Sequence, residues 1–183
     1  MPPQPDGIWN SPYSGEKWVT ATGENRYRRG LYTFWKRTAP YASFMSFDAP
    51  SREYCVVRRP RTNTPLQALA LLNDPVYIEA AQALARRMVS ESPSADPAAR
   101  LADGFRRCLA RSPQPGETDR LLALYQQELA HFRSDANAAR AMAGRAADDK
   151  SASDKQPDET AELAAWTIVA NVLLNLDETL NKG

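Results

Sequence analysis

The sequence is poor in the side chains that most often carry chemistry. It holds one histidine, His131, and two cysteines, Cys55 and Cys108. A lone imidazole argues against a zinc centre, and the wide separation of the two thiols excludes CxxC metal or redox motifs and CxxCH haem attachment. Each cysteine has apolar neighbours, so each reads as a buried thiol. A single disulfide is the alternative and would require an oxidising compartment. No GxSxG elbow and no glycine-rich phosphate loop is present. No apolar run reaches the roughly 18 residues of a membrane span. The first residues, MPPQPDGIWNSPYSGEKW, lack the apolar core of a signal peptide. Net charge is only +1, which gives no steering toward nucleic acid. Glycine is scarce, 8 against 14 prolines, and many of the prolines stand where helices should begin.

What is present fits one domain of ordinary size, 183 residues, large enough to bury a core without staples. Charge is unevenly spread. Residues 1–62 hold 10 Lys and Arg against 5 Asp and Glu, whereas residues 63–183 hold 13 against 17. Mutual attraction within one fold accounts for this, and an anion-binding surface on the first part is the alternative. The polar, proline-rich start reads as an excised piece with an added initiator Met.

Residues 1–25 read as an extended N-terminal arm in which Trp9, Tyr13 and Trp18 serve as anchors or as sugar-stacking platforms. Tyr27, Leu31, Phe34 and Trp35 recur at helical spacing, which predicts a short helix over 26–38, weakened by Gly30 and ended by Ala39-Pro40. Residues 40–53 are irregular, and 54–59 form at most one extended segment without a strand partner. Thr64-Pro65, Asp74-Pro75 and Asp96-Pro97 each place a capping residue before a helix-opening proline. Tyr77, Ala80, Ala81, Leu84 and Met88 are the expected buried stripe of the second of these helices. Leu101, Phe105, Cys108 and Leu109 are that of the third. A fourth helix is expected from about Glu117 to Arg133, and a short Ala-rich one within Asp135–Ala143. Residues 144–157 read as a flexible loop. The last long helix, from near Asp158 to about Asn175, is apolar nearly all round, the mark of a central helix. Its Asn171 and Asn175 then need hydrogen-bond partners, some of them from the Thr64 helix or the basic N-terminal part. The fold class is mainly α: five to six helices around a hydrophobic C-terminal helix, a single helical domain over 26–183 behind the N-terminal arm.

The densest polar stretch is FDAPSREYCVVRRPRTNTPLQALALLNDP, residues 47–75. It supplies the candidate binding or polar-network residues Asp48, Arg52, Glu53, Arg58, Arg61, Asn63, Thr64, Gln67, Asn73 and Asp74. Asp48 and Glu53 could form an acid/base pair if suitably separated. The plainer reading is ion pairs that tie an irregular loop to the body. Arg58, Arg59 and Arg61 straddle Pro60 and could hold an anion through guanidinium forks. Thr64 and Asp74 are explained as helix caps, while Gln67 suits either a helix surface or a site. No catalytic residue and no metal ligand is assigned.

Three blocks carry a family resemblance: YRRGLYTFWKRTAPYASFMSFDAPSREYCVVRRPRTNTPLQALALLNDPVY, FRRCLARSPQPGETDRLLALY and ELAAWTIVANVLLNLDETL. Together they resemble the C-terminal domain of unknown function in planctomycete-type cytochrome-c-like proteins. That resemblance implies an exported multidomain parent, located in the periplasm or at the cell surface, with a haem module and a second domain ahead of this one. It implies no catalytic residues. The chain itself lacks the haem motif, so no cofactor is expected in it. The resulting expectation is a non-catalytic interaction or structural module whose partners are the preceding domains. The alternatives are a polysaccharide-binding or polysaccharide-acting domain using Asp48, Arg52, Glu53 and Arg61, with an anionic polysaccharide as partner, and an electron-transfer docking module.

Overall fold

The computed structural model describes residues 1–4, 6–9, 17–36, 38–92, 94–144 and 157–181. Among these the chain is mainly helical and forms no strand. The α-helices are α1 (Ala42–Ser46), α2 (Pro65–Asn73), α3 (Pro75–Glu91), α4 (Pro97–Leu109), α5 (Pro115–Ser134), α6 (Ala136–Met142), α7 (Pro157–Leu174) and α8 (Asp177–Leu180). The chain divides into two compact units, Met1–Ala70 and Leu71–Gly183. Residues 26–70 thus belong with the N-terminal strip rather than with the later helices. Tyr13 and nearly all of the expected flexible loop, residues 145–156, lie outside the described residues.

The first unit is held by rings. Trp9, 6% exposed, donates its indole N–H to the Ala39 carbonyl at 2.9 Å. Its ring meets Trp18 edge-on at 5.0 Å and Phe34 at 5.8 Å. Trp18 stacks on Tyr41 at 5.4 Å, Tyr41 meets Phe44 edge-on at 5.3 Å, and Phe44 stacks on Trp35 at 5.3 Å. Offset and edge-on geometries of this kind suit the ring quadrupoles. The buried Lys36 ammonium stands 4.5 Å over Trp9, a favourable cation–π contact. Trp9 and Trp18 therefore anchor the arm, as their isolation on a polar strip suggested.

The same rings explain why no α-helix forms among the described residues of 26–38. Two short 3-10 turns, Gly23–Tyr27 and Gly30–Tyr32, flank an extended Arg28-Arg29. Phe34 goes to Trp9, Trp35 goes to Phe44, and Tyr27 and Leu31 are left 65% and 74% exposed. Gly30 lies so close to Phe44 that an added Cβ would stand 2.8 Å from Cε1 of that ring. Long-range aromatic contacts override a marginal helical stripe.

In the second unit α7 is central: α3, α4, α5 and α6 all pack on it. Trp166, Thr167, Val169, Ala170 and Leu173 are buried on several sides of the helix, and Trp166 stacks on Tyr125 of α5 at 4.3 Å. An all-round apolar helix is stable only where neighbours cover every face. On α3 the buried positions are Ala81, Ala85 and Met88. Ala80 is exposed and Ala85 takes its place, one turn beyond Ala81. On α4 Leu101, Gly104 and Phe105 are buried. Gly104 admits Met88 so closely that a Cβ there would meet its sulfur at 2.6 Å. Asp74 and Asp96 cap α3 and α4, accepting from the Val76 and Ala99 amides at 2.9 and 3.1 Å. The fourth helix starts two residues earlier than expected, at Pro115, with a Gln114–Glu117 capping box.

Both cysteines are free thiols. Cys108 is half-buried, but Cys55 is exposed, contrary to the buried thiol expected from its valine neighbours. Those valines are themselves exposed, as described below.

Two interactions make the second unit testable. Asn171, 5% exposed, donates its amide to the Leu71 carbonyl at the end of α2, at 3.2 Å. Asn175 is only half-buried. Replacing Asn171 with Leu removes the donor and leaves a buried carbonyl unpaired, at a cost of about 1–3 kcal/mol. Thermal unfolding of Asn171→Leu should show a lowered midpoint; an unchanged midpoint would count against this bond.

Arg111, past the end of α4, holds both carboxylate oxygens of Glu117 at 2.8 and 2.9 Å and both of Glu178 on α8 at 2.8 and 2.9 Å. Its guanidinium also covers Phe105 at 4.8 Å. The Arg111 side chain, helped by the Gln114 amide, lowers the Glu117 carboxyl from 4.5 to about 2. A depressed folded-state pKa means the contribution is present above pH 4.5 and is lost as pH falls through about 2. An NMR titration should find Glu117 ionised at pH 3, and Arg111→Gln should raise its midpoint toward the ordinary value of 4.5.

Candidate functional site

The polar stretch singled out in the sequence folds into a closed surface loop. It begins where α1 ends. Asp48 follows α1 with a left-handed backbone, φ 57°. Its Oδ2 accepts from the Thr62 amide at 2.8 Å and from the Thr62 hydroxyl at 2.7 Å. The two ends of segment 49–61 are thereby fastened side by side, the arrangement of an Ω-loop.

Gln67 secures the fastening from beneath. Although it sits in the first turn of α2, it is only 2% exposed. Its Oε1 accepts from the Thr64 amide at 2.8 Å, while the Gln67 amide donates to Thr64 Oγ1 at 3.2 Å. This is a reciprocal capping box across the helix start. The Nε2 group donates to the Ser46 carbonyl and to Thr62 Oγ1, both at 2.8 Å, and lies 3.5 Å from Asp48 Oδ2. One carboxamide thus joins the end of α1, the neck of the loop and the start of α2.

The electrostatics follow. The Thr62 hydroxyl holds the Asp48 carboxyl below its ordinary 3.8, aided by the Thr62 amide, Gln67 and the Arg59 charge and opposed by partial desolvation. Such a group is ionised at neutral pH and is no general acid there. Glu53 is exposed, and its backbone amide donates to Ser51 Oγ at 3.4 Å. Asp48 and Glu53 therefore differ in setting, one tied into the neck and the other exposed. Among the described residues, no group of three or more His, Cys, Asp and Glu converges as a metal site would require.

A second tie restrains the loop. Arg52, also left-handed at φ 64°, lays its guanidinium over Trp35 at 5.0 Å. Two non-glycine residues in this region within one loop represent stored backbone strain held by their surroundings. Beyond these ties the tip stands free. Tyr54 is 70% exposed, Val56 41%, and Val57 wholly exposed; Arg58 and Arg59 are exposed too.

Of the expected site residues, the structure brings Asp48, Thr64 and Gln67 into one network, through hydrogen bonds rather than the ion pairs expected. It turns Arg52 toward an aromatic ring instead of a carboxylate. Glu53, Arg58, Arg61 and Asn63 lie on the exposed loop and its exit. Asn73 and Asp74 belong to the second unit, where Asp74 caps α3. Thr62 is the residue that sequence reasoning missed, since nothing in local spacing pairs it with Asp48. The role of Gln67 was available in the sequence: Thr64-Pro65-Leu66-Gln67 is a Thr-x-x-Gln capping box.

A family model described as PSD1, protein of unknown function (DUF1553), matches residues 1–125. No curated protein and no solved structure matches the chain.

Replacing Gln67 with Leu fills a similar volume but unpairs the Thr64 amide and the Ser46 carbonyl, each costing about 1–3 kcal/mol when buried. Gln67→Leu should therefore speed proteolytic cleavage within 49–61 well before global unfolding. Cleavage at the wild-type rate would mean that the network does not hold the loop.

Proposed function

We propose that this chain, which belongs to the PSD1 family of proteins of unknown function (DUF1553), is a non-catalytic interaction module within a larger exported protein, with its first unit as the contact face. One observation carries this reading. The large apolar side chains more than about a third exposed are Ile8, Val19, Tyr27, Leu31, Tyr32, Phe34, Met45, Tyr54, Val56, Val57, Leu66, Leu69 and Leu72. Among the described residues, none lies beyond Leu72. Twelve of these thirteen lie in Met1–Ala70 and only Leu72 in Leu71–Gly183, which fits a division of labour between contact and stability. Exposed apolar residues concentrated in one unit mark a surface built to be covered.

The chemistry of the face supports binding over catalysis. Its best-ordered carboxylate, Asp48, is committed to Thr62 and Gln67. Two of its three tryptophans donate their N–H groups to backbone, Trp9 to Ala39 and Trp18 to Pro2. On this reading the covering surface belongs to the preceding domains of the parent protein, which would include a cytochrome-c-like module.

A second reading, capture of an anionic polysaccharide, is favoured by the sequence Arg58, Arg59, Pro60, Arg61 along one exposed limb of the loop. Guanidinium forks suit sulfate and carboxylate groups.

The apolar-face reading is tested with a solvatochromic dye on the natively folded chain, with near-UV circular dichroism as the control for folding. The dye should bind, and Leu66→Ser with Leu69→Ser should reduce binding while changing stability by no more than about 0.5 kcal/mol per site. Absence of dye binding by the folded chain would remove the reading. Strong binding to sulfated polymers on a glycan array, lost in Arg58→Ser, would put the polysaccharide reading first.

A further inference from the structure

Resting on the interaction reading above, a more specific assignment follows from the loop of residues 49–61. The loop has a locked neck and an unlocked tip. Asp48, Thr62 and Gln67 close the neck at 2.7–2.8 Å, and Arg52 over Trp35 restrains one limb. The tip carries Tyr54, Val56 and Val57, with Val57 wholly exposed, followed at once by the exposed Arg58 and Arg59. Leu66 and Leu69, three residues apart on α2, present a further exposed apolar pair just beyond the neck. Presenting apolar side chains from a pre-closed loop reduces the ordering cost of binding.

The composition of the tip selects among partners. From Trp18 to Asn73 the only lysine is Lys36, and it is buried over Trp9. Every exposed cation described in that stretch is an arginine. Tyrosine and arginine are among the residue types enriched at protein–protein contacts. Charge sets the sign of the partner. Between Tyr54 and Asn63 the loop and its exit hold Arg58, Arg59 and Arg61 and no acidic residue.

We infer that loop 49–61 is a docking plug: Tyr54, Val56 and Val57 enter an apolar hollow on an acidic protein surface, and Arg58 and Arg59 pair with carboxylates at its rim. The hollow supplies desolvation and the rim supplies orientation and encounter rate.

The full chain is presented in solution with three probes: a random glutamate–tyrosine copolymer, a random lysine–tyrosine copolymer, and phosphatidylserine vesicles. The expected result is preference for the glutamate–tyrosine copolymer, weakened by salt, and weakened about tenfold by Val57→Ser or Arg58→Ser. Both substitutions fall on exposed side chains outside the neck, and unchanged circular dichroism checks that the fold persists. Equal or better binding to the lysine–tyrosine copolymer would overturn the acidic partner yet leave the interaction reading standing. Preference for the vesicles would replace a protein partner by a membrane. Copolymer binding unaffected by both substitutions, or no binding to any probe, would overturn the plug. Failure of the dye test above would instead remove the interaction reading itself.

Discussion

The carboxamide of Gln67 is the joint on which the first unit turns. It has an amino group and an acceptor oxygen, and both are used: the oxygen by the Thr64 amide, the amino group by the Ser46 carbonyl and the Thr62 hydroxyl. Being 2% exposed, it has almost no water to substitute for any of them. A neutral amide does this at lower desolvation cost than a buried ion pair would. It fixes the start of α2, the end of α1 and the neck of loop 49–61 in one stroke. The loop is long and has no secondary structure, so without such a joint its closure would have to be held by its own exposed side chains. The free tip can be polar, apolar or strained because the neck below it does not depend on it.

The two units solve the burial problem differently. The second follows the ordinary rule for helices: one all-round apolar helix, α7, is covered by α3, α4, α5 and α6, and its single deeply buried amide, Asn171, is paired. The first has little helix to bury. It relies on a relay of rings from Phe34 through Trp9, Trp18, Tyr41 and Phe44 to Trp35, ended by Arg52. Rings carry large apolar area on few rotatable bonds, so a short irregular chain can still be ordered. The relay absorbs the tryptophans and Tyr41, while Tyr27, Tyr32, Tyr54 and the valines and leucines of Met1–Ala70 are left on the surface. That partition leaves most of the exposed large apolar side chains among the described residues in the first unit.

Helix starts were legible because they rest on local chemistry. Thr64-Pro65, Asp74-Pro75 and Asp96-Pro97 each opened a helix where expected, and the composition of α7 announced its central place. Local reading failed where a distant partner decided the outcome. Tyr27, Leu31, Phe34 and Trp35 have helical spacing, but Trp9 and Phe44 draw two of them apart. Cys55 sits between apolar neighbours that a closed loop pushes into solvent. The site was half legible. Residue types marked Asp48, Thr64 and Gln67, yet the bond that organises them, Asp48 to Thr62 across the whole loop, leaves no periodic trace.

Site-resolved amide hydrogen exchange on the unmodified chain tests the locked neck most directly. The Thr62 and Thr64 amides, which donate to Asp48 and Gln67, should be protected, while Cys55 to Arg59 at the tip exchange near the rate of an open chain. Thr62 and Thr64 exchanging as fast as the tip would contradict the joint, and with it the poised loop.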